Sequence, residues 1–516
     1  MTYLCVPIFV RGGDQARRDI ATAVEAGAEM LELRMDTAEE QLDVLEGVAA
    51  DLKRGGIPWI ATCRPTWEGG HSTSDDLARR ATLALAAHWG AAYVDLEMAA
   101  YPPDAKPPGQ GRARLILSSH DFSGRPERLY NLLLEMDHFG CDVKKVAWAA
   151  RSVRDNLEAF EILRRAGNPS IAICMGEAGV ISRILAKKFG AFLTFASLSD
   201  DAATAPGQVT IGQMKSLYRW DKIHRTTKVY GVVAHPVGHS MSPAVHNAAF
   251  DATDFDGVYV PFLVNPGYES FKAFMESFLD FEALDLSGLS VTLPHKENAL
   301  RYLREKGGRI EELAARIGAV NTIVIERENG VTRLGGMNTD YAAILRSVTT
   351  GLNCRREELR GMKVAVIGAG GTGRTAVAAL AHCGAEVTIY NRTQEKAQAL
   401  ADEFGARCEP LENLARADAV AFINATSVGM SPHVQQSAWG NTPPNLGAGK
   451  LAFDTVYNPM KTVFLREAAA TGAATIGGVE MFVNQAAGQF FAWTHLPAPV
   501  DVMRAVIVGK LGFGAA

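Results

Sequence analysis

Lys363-Val-Ala-Val-Ile-Gly-Ala-Gly-Gly-Thr-Gly-Arg374 sets the class of the second half of the chain. Val364–Ile367 is a short apolar run of the kind that forms a buried strand, and a helical pattern, Arg374–Cys383, follows the glycines. A Gly-x-Gly-x-x-Gly string alone is also an ordinary tight turn. Between a strand and a helix it reads as a nucleotide-binding turn, because first-turn amides and the helix dipole can hold a pyrophosphate. The next strand, Glu386–Tyr390, ends in Asn391-Arg392-Thr393, with no acid to take the ribose hydroxyls of NAD. An arginine there suits the 2′-phosphate of NADP. Strands Ala419–Asn424 and Leu451–Asp454 extend this Rossmann sheet.

Upstream, a charged stretch at Arg219–Lys228 separates two patterns. After it comes a mixed α/β segment: strand Val229–Ala234, a turn with Pro236, Gly238 and Pro243, and helix Ala244–Phe250. Strands Val258–Val264 and Leu289–Leu293 flank helix Tyr268–Leu279, and Thr322–Gly336 reads as a hairpin. Its turn, Asn329-Gly330, suits type I′. The tail from Met481 is helical and is expected to fold back onto this segment.

Before the boundary, eight β-rich runs recur: Leu4–Val10, Met30–Met35, Trp59–Cys63, Tyr93–Met98, Arg114–Ser119, Lys144–Ala149, Ile171–Met175 and Phe192–Ala196. Helical patterns at Gln15–Ala26, Ser74–Trp89, Arg125–Phe139, Ser152–Arg165 and Gly179–Lys188 separate most of them. That alternation predicts a (β/α)8 barrel, whose reactive groups lie at the carboxyl ends of the strands. Arg34, Arg64 and His120 fall there. Glu32, Arg34 and Lys145 lie within strand patterns, where an idle charge is costly to bury.

A lysine beside a histidine in a barrel mouth suits imine chemistry on a ketone. The amine attacks the carbonyl, the iminium acidifies the neighbouring C–H, and the imidazole moves the proton. Lys145 and His120 are the candidates. Singly, such a lysine is more often a snorkelling surface group, and such a histidine a satisfied polar one.

Bulk properties bound the rest. The 516 residues exceed one hydrophobic core, and a net charge of −5 speaks against nucleic acid as a partner. Seven scattered cysteines with no C-x-x-C pair favour neither a metal site nor a disulfide framework and fit a reducing cytoplasm. The start, MTYLCVPIFVRGG, lacks a secretory pattern. No run reaches the ~18–20 apolar residues of a spanning helix, so a cytoplasmic protein without a membrane partner is expected.

Glu32-Leu-Arg34-Met-Asp36, Thr62-Cys-Arg64 with Glu68-Gly-Gly70, Ser119-His120-Asp121-Phe122, Gly179-Val-Ile-Ser-Arg183 and Thr204-Ala-Pro-Gly-Gln208 together resemble type I 3-dehydroquinate dehydratase over residues 1–218. The resemblance implies a Schiff base on Lys145, general acid/base work by His120, and Glu68 orienting that histidine. It gives Arg183 the substrate carboxylate, a bidentate task that suits Arg. Glu32, Arg34, Arg64 and Gln208 would bind ring hydroxyls, as would Thr204, which stands where many members have Ser.

His239-Ser240-Met-Ser242-Pro243, Ser290-Val-Thr292-Leu-Pro-His-Lys296, Gly318-Ala-Val-Asn321-Thr322, Asn338-Thr339-Asp340, Asn424-Ala-Thr-Ser-Val-Gly-Met430 and Glu480-Met481-Phe-Val-Asn-Gln485 resemble shikimate dehydrogenase, from about Lys228 onwards. By that resemblance Ser240, Ser242, Thr292, Asn321, Gln485 and Gln489, with Tyr457, bind substrate, and Lys296 and Asp340 form the catalytic pair. Gly368, Ala369, Gly370, Gly371, Thr372, Gly373, Asn391, Arg392, Thr393, Lys396, Thr426 and Met481 would hold NADP(H), and no metal is implied. Tyr341 stands where the family often has Gly, as in plant-type fused enzymes, and leaves shikimate versus quinate preference open.

The expected organisation is a barrel at 1–220, a substrate-binding domain at 226–340 completed by 480–516, and a Rossmann domain at 341–479. The implied reactions are dehydration of 3-dehydroquinate to 3-dehydroshikimate and its NADPH-dependent reduction to shikimate. One alternative is an NAD-dependent quinate/shikimate dehydrogenase in the second half. A more distant one is a non-catalytic sensor, although Lys145, His120, Lys296 and Asp340 are all retained.

Overall fold

The computed structural model describes residues 2–101, 111–199, 207–238, 240–440 and 443–512. It divides into two compact units, residues 1–240 with 256–286 and residues 241–255 with 287–516. This division cuts across the expected segment 226–340.

The first unit opens with strands β1 (Tyr3–Phe9), β2 (Met30–Arg34), β3 (Trp59–Thr62), β4 (Tyr93–Glu97), β5 (Arg114–Asp121), β6 (Val143–Ala149), β7 (Ser170–Met175) and β8 (Leu193–Phe195). Their order in the sheet is β7-β6-β5-β4-β3-β2-β1-β8, all pairs parallel. The seam between β7 and β8 is bridged by the Phe192 amide, which donates to the Ser170 carbonyl at 2.8 Å. Helices α1 (Gly13–Glu25), α2 (Leu42–Gly55), α3 (Asp76–Trp89), α4 (Leu129–His138), α5 (Asp155–Arg165) and α6 (Val180–Ile184) alternate with the strands.

Helix α2 lies where sequence reading left a gap. It buries a regular stripe, Leu45, Val48, Ala49 and Leu52, but Gln41 before it offers no side-chain cap. The usual start signal is therefore missing.

Strand alternation builds the barrel interior in tiers. Met30, Ile60, Tyr93, Ile116, Val143 and Ile171 pack in one apolar cluster. Two residues further along their strands stand Glu32, Thr62, Asp95, Ser118, Lys145 and Ile173. A polar tier thus rests on an apolar one.

After the barrel the chain runs through β9 (Lys228–Ala234), α7 (Ser242–Ala252), β10 (Gly257–Leu263) and α8 (Tyr268–Asp280). In the first unit β9 and β10 pair in parallel, with Tyr259 opposite Tyr230. The second unit holds α7 and a run of β11 (Leu286–Val291), α9 (Lys296–Glu305), β12 (Arg309–Ile310), α10 (Glu312–Ile317), β13 (Thr322–Glu328), β14 (Val331–Met337) and α11 (Thr339–Leu352). Strand β13 is antiparallel to β11 and β14. Asn329 and Gly330 turn the hairpin with φ of 51° and 76°, the two positive values that type I′ requires.

The Rossmann part follows with β15 (Lys363–Ile367), α12 (Gly371–His382), β16 (Glu386–Asn391), α13 (Gln394–Phe404), β17 (Arg407–Pro410), β18 (Ala421–Asn424), β19 (Leu451–Asp454), α14 (Val463–Ala470) and β20 (Ala474–Ile476). Its sheet is parallel in the order β17-β16-β15-β18-β19-β20. Helices α15 (Gly478–Thr494) and α16 (Val500–Gly512) complete the chain. The indole of Trp493 donates to the Ile323 carbonyl at 3.1 Å, which ties α15 to the β13 hairpin.

Candidate active sites

A cavity of about 70 Å³ in the first unit is lined by Glu32, Arg34, Arg64, Glu68, His120, Lys145 and Arg183, among others. Lys145, in the middle of the polar tier, donates from Nζ to Asp95 Oδ2 at 2.7 Å and lies 3.6 Å from Glu32 Oε1. Its ammonium also stands 4.7 Å from the centroid of the Phe195 ring. The other oxygen of Asp95 accepts from Arg64 Nη2 at 2.8 Å and from Ser118 Oγ at 2.6 Å. Burial pushes the Asp95 carboxyl up, but the Arg64 and Lys145 cations outweigh it and hold the group well below the usual carboxylate range.

His120 bonds through Nδ1 to Glu68 Oε2 at 2.8 Å. Burial, with the Arg64 and Lys145 cations, holds the imidazole well below its ordinary value. It is therefore neutral at physiological pH and able to accept a proton. Burial pushes the Glu68 carboxyl up to about 7, against the pull of Arg64.

Arg183, from α6, is 3% exposed. Its Nε has no hydrogen-bond partner, and no carboxylate pairs with the guanidinium among the described residues. Burial brings it down to about 10. A buried, uncompensated cation facing a cavity is a receptor for an anion.

Other expected residues are held differently. Arg64 Nη1 donates to Glu97 Oε1 at 2.7 Å and Ser118 Oγ at 2.8 Å, so this guanidinium chiefly organises the acids around it. Arg34 forks onto Asp36 at 2.9 and 2.8 Å, and Glu32 accepts from Thr62 Oγ1 at 2.8 Å. Gln208 is half-buried, and Thr204 lies outside the described residues. Asp95, Glu97 and Ser118 were not singled out from sequence. The available signal was Tyr93-Val-Asp-Leu-Glu97, in which two acids share a strand face with a core tyrosine.

In the second unit Lys296 begins α9, and its Nζ donates to Asp340 Oδ2 at 2.6 Å. Asp340 sits in the first turn of α11, where the helix dipole favours an anion. The Asn338 side chain caps that helix by accepting from the Asp340 amide at 3.0 Å. Asn321 is buried beside them, its Oδ1 accepting from the Thr339 amide at 2.9 Å and from Thr322 Oγ1 at 2.7 Å. Tyr341 donates to Glu311, whose other oxygen accepts from the Asn338 amide at 3.2 Å.

Gln489, expected at the substrate, bonds four protein groups. Its Oε1 accepts from Ser290 Oγ at 2.8 Å and bonds His246 Nε2 at 3.3 Å. Its Nε2 donates to the Asn321 carbonyl at 3.2 Å and to Thr322 Oγ1 at 3.1 Å. All four positions of the amide are thereby occupied within the protein. Gln485, one turn earlier, is half-buried, as are Thr292 and Tyr457, whose ring lies 5.7 Å from that of Phe482. Ser242 is buried at the start of α7. Ser240 falls in the first unit, its amide donating to the Val237 carbonyl at 3.1 Å.

The glycine turn, Gly368 to Gly373, joins β15 to α12. A Cβ on Gly373 would lie 2.1 Å from the Gly368 carbonyl oxygen, so only glycine lets the helix approach the strand this closely. Around Gly370 and Gly371 the space is open. The first-turn amides of α12, including that of Thr372, have no intrahelical acceptor and can take phosphate oxygens. Ala369 donates to Asn391 Oδ1 at 3.3 Å. Arg392, Thr393 and Lys396 are exposed just beyond β16, and Arg392 has no ion pair among the described residues. Thr426 donates to Asn424 Oδ1 at 2.7 Å, and Asn424 donates to the buried Asp454 at 2.9 Å. Burial pushes the Asp454 carboxyl up to about 6. Met481 packs against the core of the Rossmann sheet. These residues fit a phosphorylated dinucleotide. Among the described residues no cluster of three metal-ligating side chains occurs, and no helix is long and apolar enough to cross a membrane.

Comparison with known proteins gives four family matches. They are Type I 3-dehydroquinase at residues 4–225, Shikimate dehydrogenase substrate binding domain at 232–323, Shikimate / quinate 5-dehydrogenase at 352–442, and Shikimate 5'-dehydrogenase C-terminal domain at 478–508. The chain is 37% identical to a chloroplastic bifunctional 3-dehydroquinate dehydratase/shikimate dehydrogenase of Arabidopsis thaliana, covering 97% of this chain and 83% of that one. It is 39% identical to an NADP(+) shikimate dehydrogenase of Caldanaerobacter subterraneus subsp. tengcongensis, over 53% of this chain and 94% of that one. Among solved structures, shikimate 5-dehydrogenase of Thermus thermophilus with NADP(H) and shikimate is similar at 34% identity, 55% and 100% coverage, and a TM-score of 0.46.

Proposed function

The chain belongs to the bifunctional 3-dehydroquinate dehydratase/shikimate dehydrogenase family, and we propose that its two sites act in sequence on one carboxylated ring. The first dehydrates 3-dehydroquinate to 3-dehydroshikimate; the second reduces that ketone to shikimate with NADPH. The working segments are the barrel (1–220), the substrate domain (226–340 with 480–516) and the Rossmann domain (341–479). The protein acts in the cytoplasm on small molecules, with no nucleic acid or membrane partner.

Lys145 attacks the ring ketone, and loss of water leaves an iminium on Nζ. His120, held by Glu68, takes the proton next to the iminium carbon and returns a proton to the departing hydroxyl. Water then releases the product from Lys145. Arg183 receives the substrate carboxylate, while Glu32 and Arg34 face the ring hydroxyls. In the second site Lys296 and Asp340 hold the carbonyl oxygen and supply its proton. The dinucleotide, when bound, supplies the hydride. The glycine turn receives its pyrophosphate and Arg392 its 2′-phosphate.

One observation carries this reading: Lys145, His120 and a buried Arg183 with no carboxylate partner among the described residues line a single cavity. Borohydride added with 3-dehydroquinate should leave a reduced adduct on Lys145, identified by peptide mass spectrometry. Lys145→Ala should lose both adduct and dehydration while still reducing 3-dehydroshikimate with NADPH. An adduct on another lysine, or dehydration by the variant, would overturn the assignment.

A further inference from the structure

Lys145 Nζ meets one carboxylate at hydrogen-bond distance. The two oxygens of Asp95 are divided, Oδ1 accepting from Arg64 and Ser118 and Oδ2 from Lys145 at 2.7 Å. Asp95 is 1% exposed and fixed on one side, so Oδ2 has a set position facing the amine. The other charged groups around that nitrogen are arranged less directly. Glu32 lies 3.6 Å away and already accepts from Thr62, Arg64 is tied to Asp95 and Glu97, and His120 is engaged with Glu68. The Phe195 ring lies 4.7 Å away, and the buried Cys5 thiol, which feels both Lys145 and Glu32, is kept protonated by its burial.

We infer that Asp95 is a positioning residue for the dehydratase reaction, serving as the counter-ion that keeps the nitrogen of the lysine–substrate iminium protonated. The inference rests on the imine reading of this site. Ammonium plus ketone gives protonated imine plus water, with no net change of charge at nitrogen. One fixed carboxylate can therefore serve the amine before the reaction and the iminium during it. The C–N double bond withdraws electrons effectively only while that nitrogen carries its proton. As the proton beside it moves to His120 the nitrogen becomes a neutral enamine, and departure of the β-hydroxyl with a proton restores the cation for hydrolysis. Losing Asp95 lets the imine shed its proton at lower pH and leaves an unreactive neutral form.

The test follows borohydride trapping of 3-dehydroquinate on Lys145 against pH, with each variant normalised to its own plateau so that the folded fraction drops out. Asp95→Asn should move the alkaline limb of trapping down by about one to two pH units, matching a ten- to hundredfold loss of a charge-assisted hydrogen bond. Dehydration should fall along the same limb, and Asp95→Glu should restore part of the shift. Glu32→Gln, removing the more distant carboxylate, should shift the limb less. A limb for Asp95→Asn that coincides with wild type, or a larger shift for Glu32→Gln, overturns the proposal. Absence of any adduct in the unaltered enzyme would instead overturn the imine reading itself.

Discussion

Arg183→Met should weaken substrate binding and strengthen the empty fold at the same time. The guanidinium is almost wholly buried, has no carboxylate partner among the described residues, and is brought by burial from the ordinary arginine range down to about 10. The charged form is thus disfavoured in the folded state, and that penalty is present at neutral pH and fades only as pH rises above the folded value. A shift of that size corresponds to at most about 3 kcal/mol. Methionine keeps much of the side chain's length and removes the charge. For a unit of this size the relief should raise the unfolding midpoint by up to roughly 6 to 12 °C. Removing a charge that pairs with a substrate carboxylate costs about 2 kcal/mol or more, a KM increase of roughly thirtyfold. The assays are steady-state dehydration of 3-dehydroquinate and thermal unfolding without ligand, with 3-dehydroshikimate reduction as an internal control. An unchanged KM, or a lowered midpoint, would mean that Arg183 serves the fold rather than an incoming anion.

Glu68→Gln should flatten part of the pH dependence of stability. With a folded value of about 7 against an ordinary 4.5, the folded state keeps this proton through a window in which the unfolded chain has released it. Stability from this group therefore falls as pH rises through that window. Denaturant midpoints from about pH 4 to 8 should decline less steeply in the variant, and dehydration should drop roughly ten- to a hundredfold as His120 loses its anchor. A variant with the wild-type slope would contradict the assignment. Arg392→Ala should raise the KM for NADPH at least roughly tenfold, as expected for loss of a charge-assisted contact, and leave that for NADH nearly unchanged. Equal changes would place the phosphate elsewhere.

The barrel strands and the glycine turn were legible because their signals are local. A buried parallel strand is a short apolar run, and the close packing of Gly373 on Gly368 shows as a spacing. The charge network was less legible because its pairings are not local. Asp95 meets Arg64 across 31 residues and Lys145 across 50, so its acid on an inward strand face stood without a visible partner. Helix α2 kept its apolar stripe but lacked a cap. Gln489 was recognised as important through a family resemblance, but only its four contacts show that it joins protein segments to one another. Thr204 apart, every candidate in the dehydratase half falls in the first unit, whereas Ser240 is divided from the other reductase candidates.

That Gln489 amide has a consequence for the order in which the protein matures on the ribosome. It ties Ser290, His246 and Asn321 to a helix 168 to 243 positions later. The floor beneath the reductase chemistry stays unfastened until Gln489 has emerged. Lys145, His120, Arg183 and their acids have all been translated long before. The nascent chain can thus hold a finished first workshop while its second still lacks a keystone.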